Sequence, residues 1–208
     1  MNQKNSLGLN SCFLDLNDPI ELFKTWMEKA KASEPNDPNA LALATASKNA
    51  VPSVRMVLLK DFSKKGFVFY TNLESQKGDE LKENPNASMC FHWKSLLRQI
   101  RVNGKLLKVE DEVADEYYNS RSYNSRIGAW ASKQSKVLKN RNELISSIEE
   151  YKKKYDNEKD VPRPKNWSGW NLIPSSIEFW LDGENRIHER LKYIKNENES
   201  WKKFLLNP

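Results

Sequence analysis

At 208 residues the chain is long enough for one domain with a substantial core, and 34 Lys and Arg against 28 Asp and Glu give a net charge of +6 that favours an anionic partner. The aromatic content (Trp 7, Tyr 7, Phe 8) excludes a disordered chain. Two cysteines are too few for a disulfide framework, and two histidines without a cysteine pair argue against a metal site. No segment resembles a signal peptide or a membrane span, so we expect a cytoplasmic protein.

The amino-terminal part divides into a polar segment and a helix. Residues 1–17 show no periodicity, and we expect them to form a mobile segment ahead of a single domain at 18–208. A helix is predicted at 17–33, where Asn17 or Asp18 can cap the first turn. Apolar side chains recur along one face of this helix, so we expect it to pack on the core.

Strand-like runs dominate the middle of the chain. Three runs rich in β-branched and aromatic residues indicate an antiparallel meander at 40–47, 51–62 and 66–72. A short helix at 75–85 follows, and Pro85 closes it.

The next segment, 87–110, predicts long strands with turns near 94–95 and 103–104. Helices are predicted at 111–121 and 136–155. Between them the run SRIGAWASKQSK fits neither a regular helix nor a strand, which is typical of a loop that lines a site.

A proline-containing loop at 160–174 leads into two or three final strands, at 175–182, 185–195 and 200–206. Because helices are inserted among strands and do not alternate with them, a parallel doubly wound sheet is disfavoured. We predict a mainly antiparallel β fold with flanking α-helices, arranged as a small barrel.

Several side chains around the strands could hold an anion. Arg55 and Lys60 share strand faces with apolar residues, so each needs either an anionic partner or a route to solvent. Thr71 and Lys77 flank a strand-to-helix junction, where they could bind a phosphate or simply cap the helix.

A second group follows in the helical region. Tyr117, Arg121 and Ser125 are spaced so that a continuous helix would place them on one face as a phosphate cup, although a frayed helix end explains them equally well. Gln134 and Ser135 offer neutral hydrogen bonds to a ligand, or a cap for the next helix.

The stretch NRIHER near the carboxyl end carries three potential cations. On a strand, Arg186, His188 and Arg190 would share one face, with Ile187 and Glu189 opposite. Such a face spans about 13 Å, which is enough to reach both a substrate and an adjacent cofactor.

In chain order, the motifs RMVLLK, YTN, RQIRVNG, SRIGAWASKQS, IEFW and RIHER resemble the pyridoxamine 5'-phosphate oxidase family of flavoproteins, from about residue 18 to the carboxyl end. The resemblance implies an FMN-binding split β-barrel that forms a homodimer with its active sites at the subunit interface. It also implies oxidation of pyridoxamine 5'-phosphate and pyridoxine 5'-phosphate by dioxygen to pyridoxal 5'-phosphate, in vitamin B6 metabolism. Hydrogen peroxide is released, and the amine also gives ammonia.

By motif, the resemblance assigns FMN binding to Arg55, Met56, Val57, Leu58, Leu59, Lys60, Tyr70, Thr71, Lys77, Gln99, Gln134, Ser135, Trp180 and Arg190. It assigns substrate binding to Lys60, Tyr117, Arg121, Ser125, Arg186 and His188. Arg186 and His188 would be catalytic and would face the pyridine ring. The resemblance implies no metal.

The chain departs from the family pattern at several positions. Gln76 stands where the family usually has Arg, so one charge expected near the FMN phosphate is missing and weaker FMN binding is predicted, by roughly 1.5 to 3 kcal/mol. Glu189 replaces the usual Asp and keeps the charge. The Arg and Tyr that some members fold over the substrate have no clear counterpart in residues 1–12.

Two other functions fit part of the pattern. A related split-barrel flavin oxidase that acts on another reduced ring, such as a dihydrophenazine, would have no need of the second phosphate cup. A non-catalytic protein that binds nucleic acid, flavin or pyridoxal phosphate would explain the net charge, but the cations are dispersed among acidic residues and no RNA-binding signature is present.

Overall fold

The strands form one antiparallel sheet in the computed structural model, which describes residues 4–208. The strands within these residues are β1 (Ala40–Ala46), β2 (Pro52–Leu58), β3 (Asp61–Ser63), β4 (Gly66–Asn72), β5 (Asn86–Trp93), β6 (Arg98–Lys108), β7 (Trp167–Leu181), β8 (Glu189–Lys195) and β9 (Trp201–Leu205). The α-helices are α1 (Pro19–Ser33), α2 (Gln76–Glu83), α3 (Asp111–Ser120), α4 (Tyr123–Ala131) and α5 (Arg141–Lys154). None of these helices is long and apolar enough to cross a membrane.

The sheet curls because its longest strand, β7, serves two partners in turn. The first half of β7 pairs with β4 and the second half with β8, while β6 runs beside both halves. The strand order is β2-β1-β5-β6-β7-β4-β3, and the chain passes directly from β2 to β3 through Leu59 and Lys60. The two ends of the path therefore meet, and the predicted antiparallel split barrel with flanking helices is confirmed.

Helix α1 fills the core as its amphipathic pattern predicts. The Asp18 side chain caps it by accepting a hydrogen bond from the backbone N–H of Ile20 at 2.9 Å. Phe23 is fully buried and makes edge contacts with Phe67 and Phe91, with ring centroids 4.9 and 5.2 Å apart. Burial of one such ring stabilises the fold by roughly 1.5 to 3 kcal/mol.

The amino-terminal segment, for which we predict mobility, makes contacts with the domain. Residues 4–17 pack against it. Phe13 is fully buried, and its ring lies 5.3 Å from that of Trp26. The indole N–H of Trp26 donates to a carbonyl of the segment at 2.9 Å. The few buried apolar residues of this segment are isolated in a polar run, so the sequence shows no periodicity there. Residues 1–3 lie outside the described part of the chain.

Strand pairing overrides three local signals. The turn predicted at 103–104 is instead a bulge inside β6, and a Cβ on Gly104 would lie 2.0 Å from the carbonyl oxygen of Ile173, so only glycine fits there. The loop predicted at 160–174 ends early, because its last residues pair with β4 as the start of β7. The run 51–62 breaks at Leu59 into β2 and β3.

Two helical predictions also change. Part of the run SRIGAWASKQSK, which predicts a site-lining loop, is helix α4, whose buried Ile127 and Ala131 lie four residues apart on one face. The helix predicted at 136–155 begins only at Arg141, where the side chain of Asn140 accepts a hydrogen bond from the backbone N–H of Glu143 at 3.1 Å.

Candidate active site

A cavity of about 770 Å³ opens where the two ends of the sheet meet, beside β2, β4, α2 and the α3–α4 junction. Its volume is in the range of small-molecule sites. The lining residues are Ser53, Val54, Arg55, Met56, Val57, Leu58, Lys60, Tyr70, Thr71, Gln76, Lys77, Tyr117, Arg121, Ser122, Ser125, Gln134, Ser135 and Trp167. Most of the predicted cofactor and substrate residues are therefore brought together from distant parts of the sequence.

Lys77 places a buried ammonium group in this cavity. Its Nζ donates to Thr71 Oγ1 and Ser75 Oγ, both at 3.0 Å. It also donates to Gln134 Oε1 at 3.1 Å. These acceptors are all neutral, and burial, helped by the charge of Arg55, lowers the pKa of Lys77 to about 8. A cation so placed favours an anionic ligand.

Arg55 extends inward from β2 and forms an ion pair with Glu80 of α2, with Nη2 3.2 Å from Oε2. Glu80 also accepts hydrogen bonds from Thr45, from Ser53 Oγ at 2.7 Å, and from Gln76 Nε2 at 2.9 Å. Burial alone raises the pKa of Glu80, but these hydrogen bonds and the charge of Arg55 outweigh burial and lower the pKa to about 2. The carboxylate is therefore ionised at neutral pH.

A second group of donors lies beside a stack of aromatic rings. The rings of Tyr70 and Tyr117 stack with centroids 3.9 Å apart, and Trp167 lies 5.3 Å from Tyr70. The guanidinium of Arg121 sits 4.7 Å above the Trp167 ring. Its Nη1 is buried and has no hydrogen-bond partner among residues 4–208, and burial lowers its pKa. Such a group calls for an acceptor from a ligand.

Ser125 reaches the cavity from a second helix. Of the two interpretations of Tyr117, Arg121 and Ser125, the continuous helix is wrong, because α3 ends at Ser120 and α4 starts at Tyr123. Both helices nevertheless turn their ends toward the cavity, so Ser125 lines it together with Arg121.

Leu59 does not line the cavity. It is 4% exposed and belongs to the core, so its side chain cannot face a ligand there. We define the remaining predicted residues outside the cavity as the second cluster, which consists of Gln99, Trp180, Arg186, His188 and Arg190.

The second cluster lies on β6, β7 and β8 and on the turn that precedes β8. Gln99 is the register partner of Trp180, and Trp180 is the partner of Arg190, so the three form a row on one face of the sheet. Arg190 is held by Glu178, whose Oε1 lies 3.0 Å from Nε and 2.8 Å from Nη2. Within one chain this row is separate from the cavity.

The strand face predicted for NRIHER is wrong. Glu184–Arg186 form a 3-10 turn in which Asn185 and Arg186 have φ of 54° and 64°, and β8 begins only at Glu189. Glycine at 183 permits this turn, because a Cβ there would lie 1.9 Å from the carbonyl oxygen of Ile187.

His188 lies directly after this turn and has defined contacts. Its ring packs on Trp180, with centroids 4.6 Å apart, and its Nδ1 lies 3.0 Å from Oδ1 of Asp182. Arg186 is exposed, which leaves its guanidinium available to another molecule.

Sequence reasoning missed Trp167 in the cavity and Glu80 directly behind its wall. Glu80 lies four residues after Gln76 on α2, a spacing that permits their hydrogen bond, but its partners on β1 and β2 are visible only in the folded chain. Trp167 was assigned to a loop, so its place under Arg121 could not be foreseen.

Residues 27–155 match the family described as Pyridoxamine 5'-phosphate oxidase, and residues 167–208 match the Pyridoxine 5'-phosphate oxidase C-terminal dimerisation region. A pyridoxine/pyridoxamine 5'-phosphate oxidase from Pelagibacter ubique (strain HTCC1062) is 73% identical over 208 residues, which is 100% of both chains. The chain belongs to the pyridoxamine 5'-phosphate oxidase family.

Other relatives agree with this assignment. A pyridoxine/pyridoxamine 5'-phosphate oxidase from Brucella anthropi is 53% identical over 197 residues, covering 94% of this chain and 97% of the relative. Among solved structures, PhzG from Burkholderia lata 383, in complex with tetrahydrophenazine-1-carboxylic acid, superposes with a TM-score of 0.89 at 30% identity, covering 99% of this chain and 100% of that chain. A pyridoxamine 5'-phosphate oxidase-related, FMN binding protein from Nostoc punctiforme shares the fold, with a TM-score of 0.74 at 17% identity over 94% and 100% of the two chains.

The family match also bears on assembly. The dimerisation region at 167–208 contains β7, β8 and β9, and it indicates a homodimer. Every member of the second cluster except Gln99 lies within this region.

Proposed function

We propose that this family member binds FMN and oxidises pyridoxine 5'-phosphate and pyridoxamine 5'-phosphate with dioxygen. The product is pyridoxal 5'-phosphate; hydrogen peroxide is released, and the amine also consumes water and yields ammonia. The observation that carries the proposal is the presence of two groups of anion-binding donors in one cavity, one at Lys77 and one at Arg121. One bound flavin nucleotide and one phosphorylated substrate would use both.

The first group fits the phosphate of FMN. Lys77 is a buried cation whose described acceptors are neutral, and a phosphate would supply the missing counter-charge. Arg55, Thr71, Gln134 and Ser135 would complete the set of donors. Bound FMN would accept two electrons from the substrate and pass them to dioxygen.

Strand β2 would hold the flavin ring. It lies at an end of the sheet path, and within residues 4–208 it pairs only with β1, so its other edge has backbone N–H and C=O groups free to bind the ring edge. Met56, Val57 and Leu58 line the cavity along this edge.

The second group fits the substrate phosphate. Arg121 has a buried N–H without a partner in the described chain, and Tyr117, Ser125 and Lys60 surround the same space. A bound phosphate would satisfy that N–H and gain charge-assisted hydrogen bonds.

The second cluster would complete the site from the partner subunit. In one chain it does not line the cavity, but all of its members except Gln99 belong to the dimerisation region. Arg186 and His188 would then face the substrate ring, with His188 oriented by Asp182, and Trp180 and Arg190 would face the cofactor. Each active site would thus use residues from both subunits.

Turnover by the purified, FMN-loaded protein tests this proposal. We expect peroxide and aldehyde to form from pyridoxine 5'-phosphate and pyridoxamine 5'-phosphate. Arg121→Met should raise the KM for either phosphate by about 10- to 100-fold, because a charge-assisted hydrogen bond contributes roughly 1.5 to 3 kcal/mol. Arg141→Met removes the same charge from an exposed position on α5 and should have no effect. No product from either phosphate would refute the proposal.

The structural likeness to PhzG defines the competing function. A dihydrophenazine substrate lacks a phosphate, so it would not use the donors at Tyr117 and Arg121. If the protein oxidised a dihydrophenazine carboxylate faster than pyridoxine 5'-phosphate, and Arg121→Met left that rate unchanged, the competing function would be preferred.

A further inference from the structure

Glu80 lies beneath the cavity wall and not in it. It is 8% exposed, and its carboxylate accepts from Ser53 Oγ at 2.8 and 2.7 Å and from Gln76 Nε2 at 2.9 Å. Thr45 donates to it as well. One buried carboxylate therefore ties β1, β2 and α2 together directly behind the cavity.

Arg55 is the cavity-lining member of this network. Its Nη2 lies 3.2 Å from Glu80 Oε2, and its Nη1 donates to the carbonyl oxygen of Leu43 at 3.3 Å. Thr45 and Ser53 accept from the same guanidinium. The plane of the guanidinium is thus fixed from behind before any ligand arrives.

Two effects of Glu80 on an anionic ligand have opposite signs. Its negative charge beside the cavity weakens anion binding by Coulomb repulsion. Its hold on Arg55 strengthens anion binding, because a flexible arginine loses side-chain entropy when a ligand immobilises it and a pre-oriented one does not. The Glu80 carboxylate makes five contacts, and four of them come from the strand pair that carries Arg55. These contacts hold Arg55 in one orientation and therefore favour the strengthening effect.

We propose that Glu80 is a positioning residue, which orients Arg55 toward the phosphate of bound FMN. The inference rests on the proposed function for the identity of that ligand. It predicts that loss of Glu80 weakens FMN binding, whereas a purely electrostatic role predicts tighter binding.

The test measures the Kd of FMN by quenching of flavin fluorescence in the apoprotein. Glu80→Ala should raise the Kd about tenfold, since one rotamer-rich side chain is no longer held in place. Glu83→Ala is the matched control, because it removes the same charge from an exposed position on the same helix and should leave the Kd within about twofold. A Kd equal to or below that of the wild type in Glu80→Ala would overturn the proposal.

A double-mutant cycle shows whether Glu80 acts through Arg55. In an Arg55→Lys background, Glu80→Ala should have no further effect on the Kd; the same tenfold loss in that background would contradict the proposal. If Glu80→Ala does not fold, Glu80→Gln, which keeps the length of the side chain, is taken through the same cycle. Failure of the wild-type protein to bind FMN would instead refute the proposed function, and this inference with it.

Discussion

Replacing Lys77 with methionine should change stability and cofactor binding in opposite directions. Lys77 is 7% exposed, and its ammonium group lies among hydroxyl and amide oxygens at the place proposed for the FMN phosphate. The charge therefore costs free energy in the apoprotein and contributes to affinity only when FMN is bound. Methionine fills a similar volume without the charge.

The lowered pKa sets the size of this cost. The difference between 10.5 and about 8 corresponds to roughly 3 kcal/mol at about 1.4 kcal/mol per pH unit. The hydrogen bonds to Thr71, Ser75 and Gln134 are lost in the variant, so we expect the apoprotein at pH 7 to gain about 1 to 2 kcal/mol of unfolding free energy. The Kd of FMN should rise by about 10- to 100-fold, since one charge-assisted hydrogen bond is removed.

Urea unfolding of the apoproteins and titration with FMN measure both quantities. The unfolded chain binds more protons at Lys77 than the folded chain between about pH 8 and 10.5, so the stability difference between variant and wild type should shrink as pH rises through that window. Lys82→Met, on the exposed side of α2, is the control and should change neither quantity. A destabilised Lys77→Met apoprotein with unchanged FMN affinity would refute this reasoning.

Three further predictions follow from the same geometry. The Kd of FMN, measured by fluorescence titration, should increase as pH rises above about 8, because Lys77 loses its proton. Lys77→Met should remove this pH dependence. A pH-independent Kd of the wild-type protein would contradict the prediction. Gln76→Arg should lower the Kd of FMN by about tenfold in the same titration, since it adds a cation at the cavity. An unchanged or higher Kd would count against an FMN phosphate beside residue 76. Phe23→Ala should lower the unfolding free energy by about 3 to 5 kcal/mol in urea, because Phe23 is fully buried against four aromatic rings. A loss below about 1 kcal/mol would mean that α1 does not organise the core.

Local signals in the sequence were sufficient for elements whose own residues decide their structure. Helix α1 carries its cap at Asp18 and its apolar face within 15 residues, so its prediction is confirmed almost to the residue. The antiparallel architecture is likewise set by the many short β-branched and aromatic runs.

Contacts between distant residues decided the rest. NRIHER alternates like a strand, but the chain turns at Glu184–Arg186 before β8 starts, and Gly183 permits the turn because it has no Cβ to clash with Ile187. The first half of β7 contains a proline and two tryptophans near a glycine, a composition that does not predict a strand. It forms a strand because it pairs with β4 and β6. No pattern in one sequence reports such a partner.

The candidate site also combines residues that the sequence predicts with residues that only the fold reveals. Family motifs assign Lys77, Thr71 and Gln134 to FMN binding, and the fold brings them within hydrogen-bond distance of one another. Glu80 belongs to the same site, yet its contribution depends on the register between β1 and β2, which pairs Thr45 with Ser53 directly above the carboxylate. That register is a property of the folded sheet.

The ratio of kcat/KM for pyridoxine 5'-phosphate to that for pyridoxine, in the FMN-loaded protein, tests the proposed function most directly. Pyridoxine has the same ring without the phosphate, and it would leave the buried N–H of Arg121 without a partner. We expect a preference for the phosphorylated substrate on the order of 10⁴-fold. Equal turnover of the two compounds, or no peroxide from pyridoxine 5'-phosphate, would contradict it.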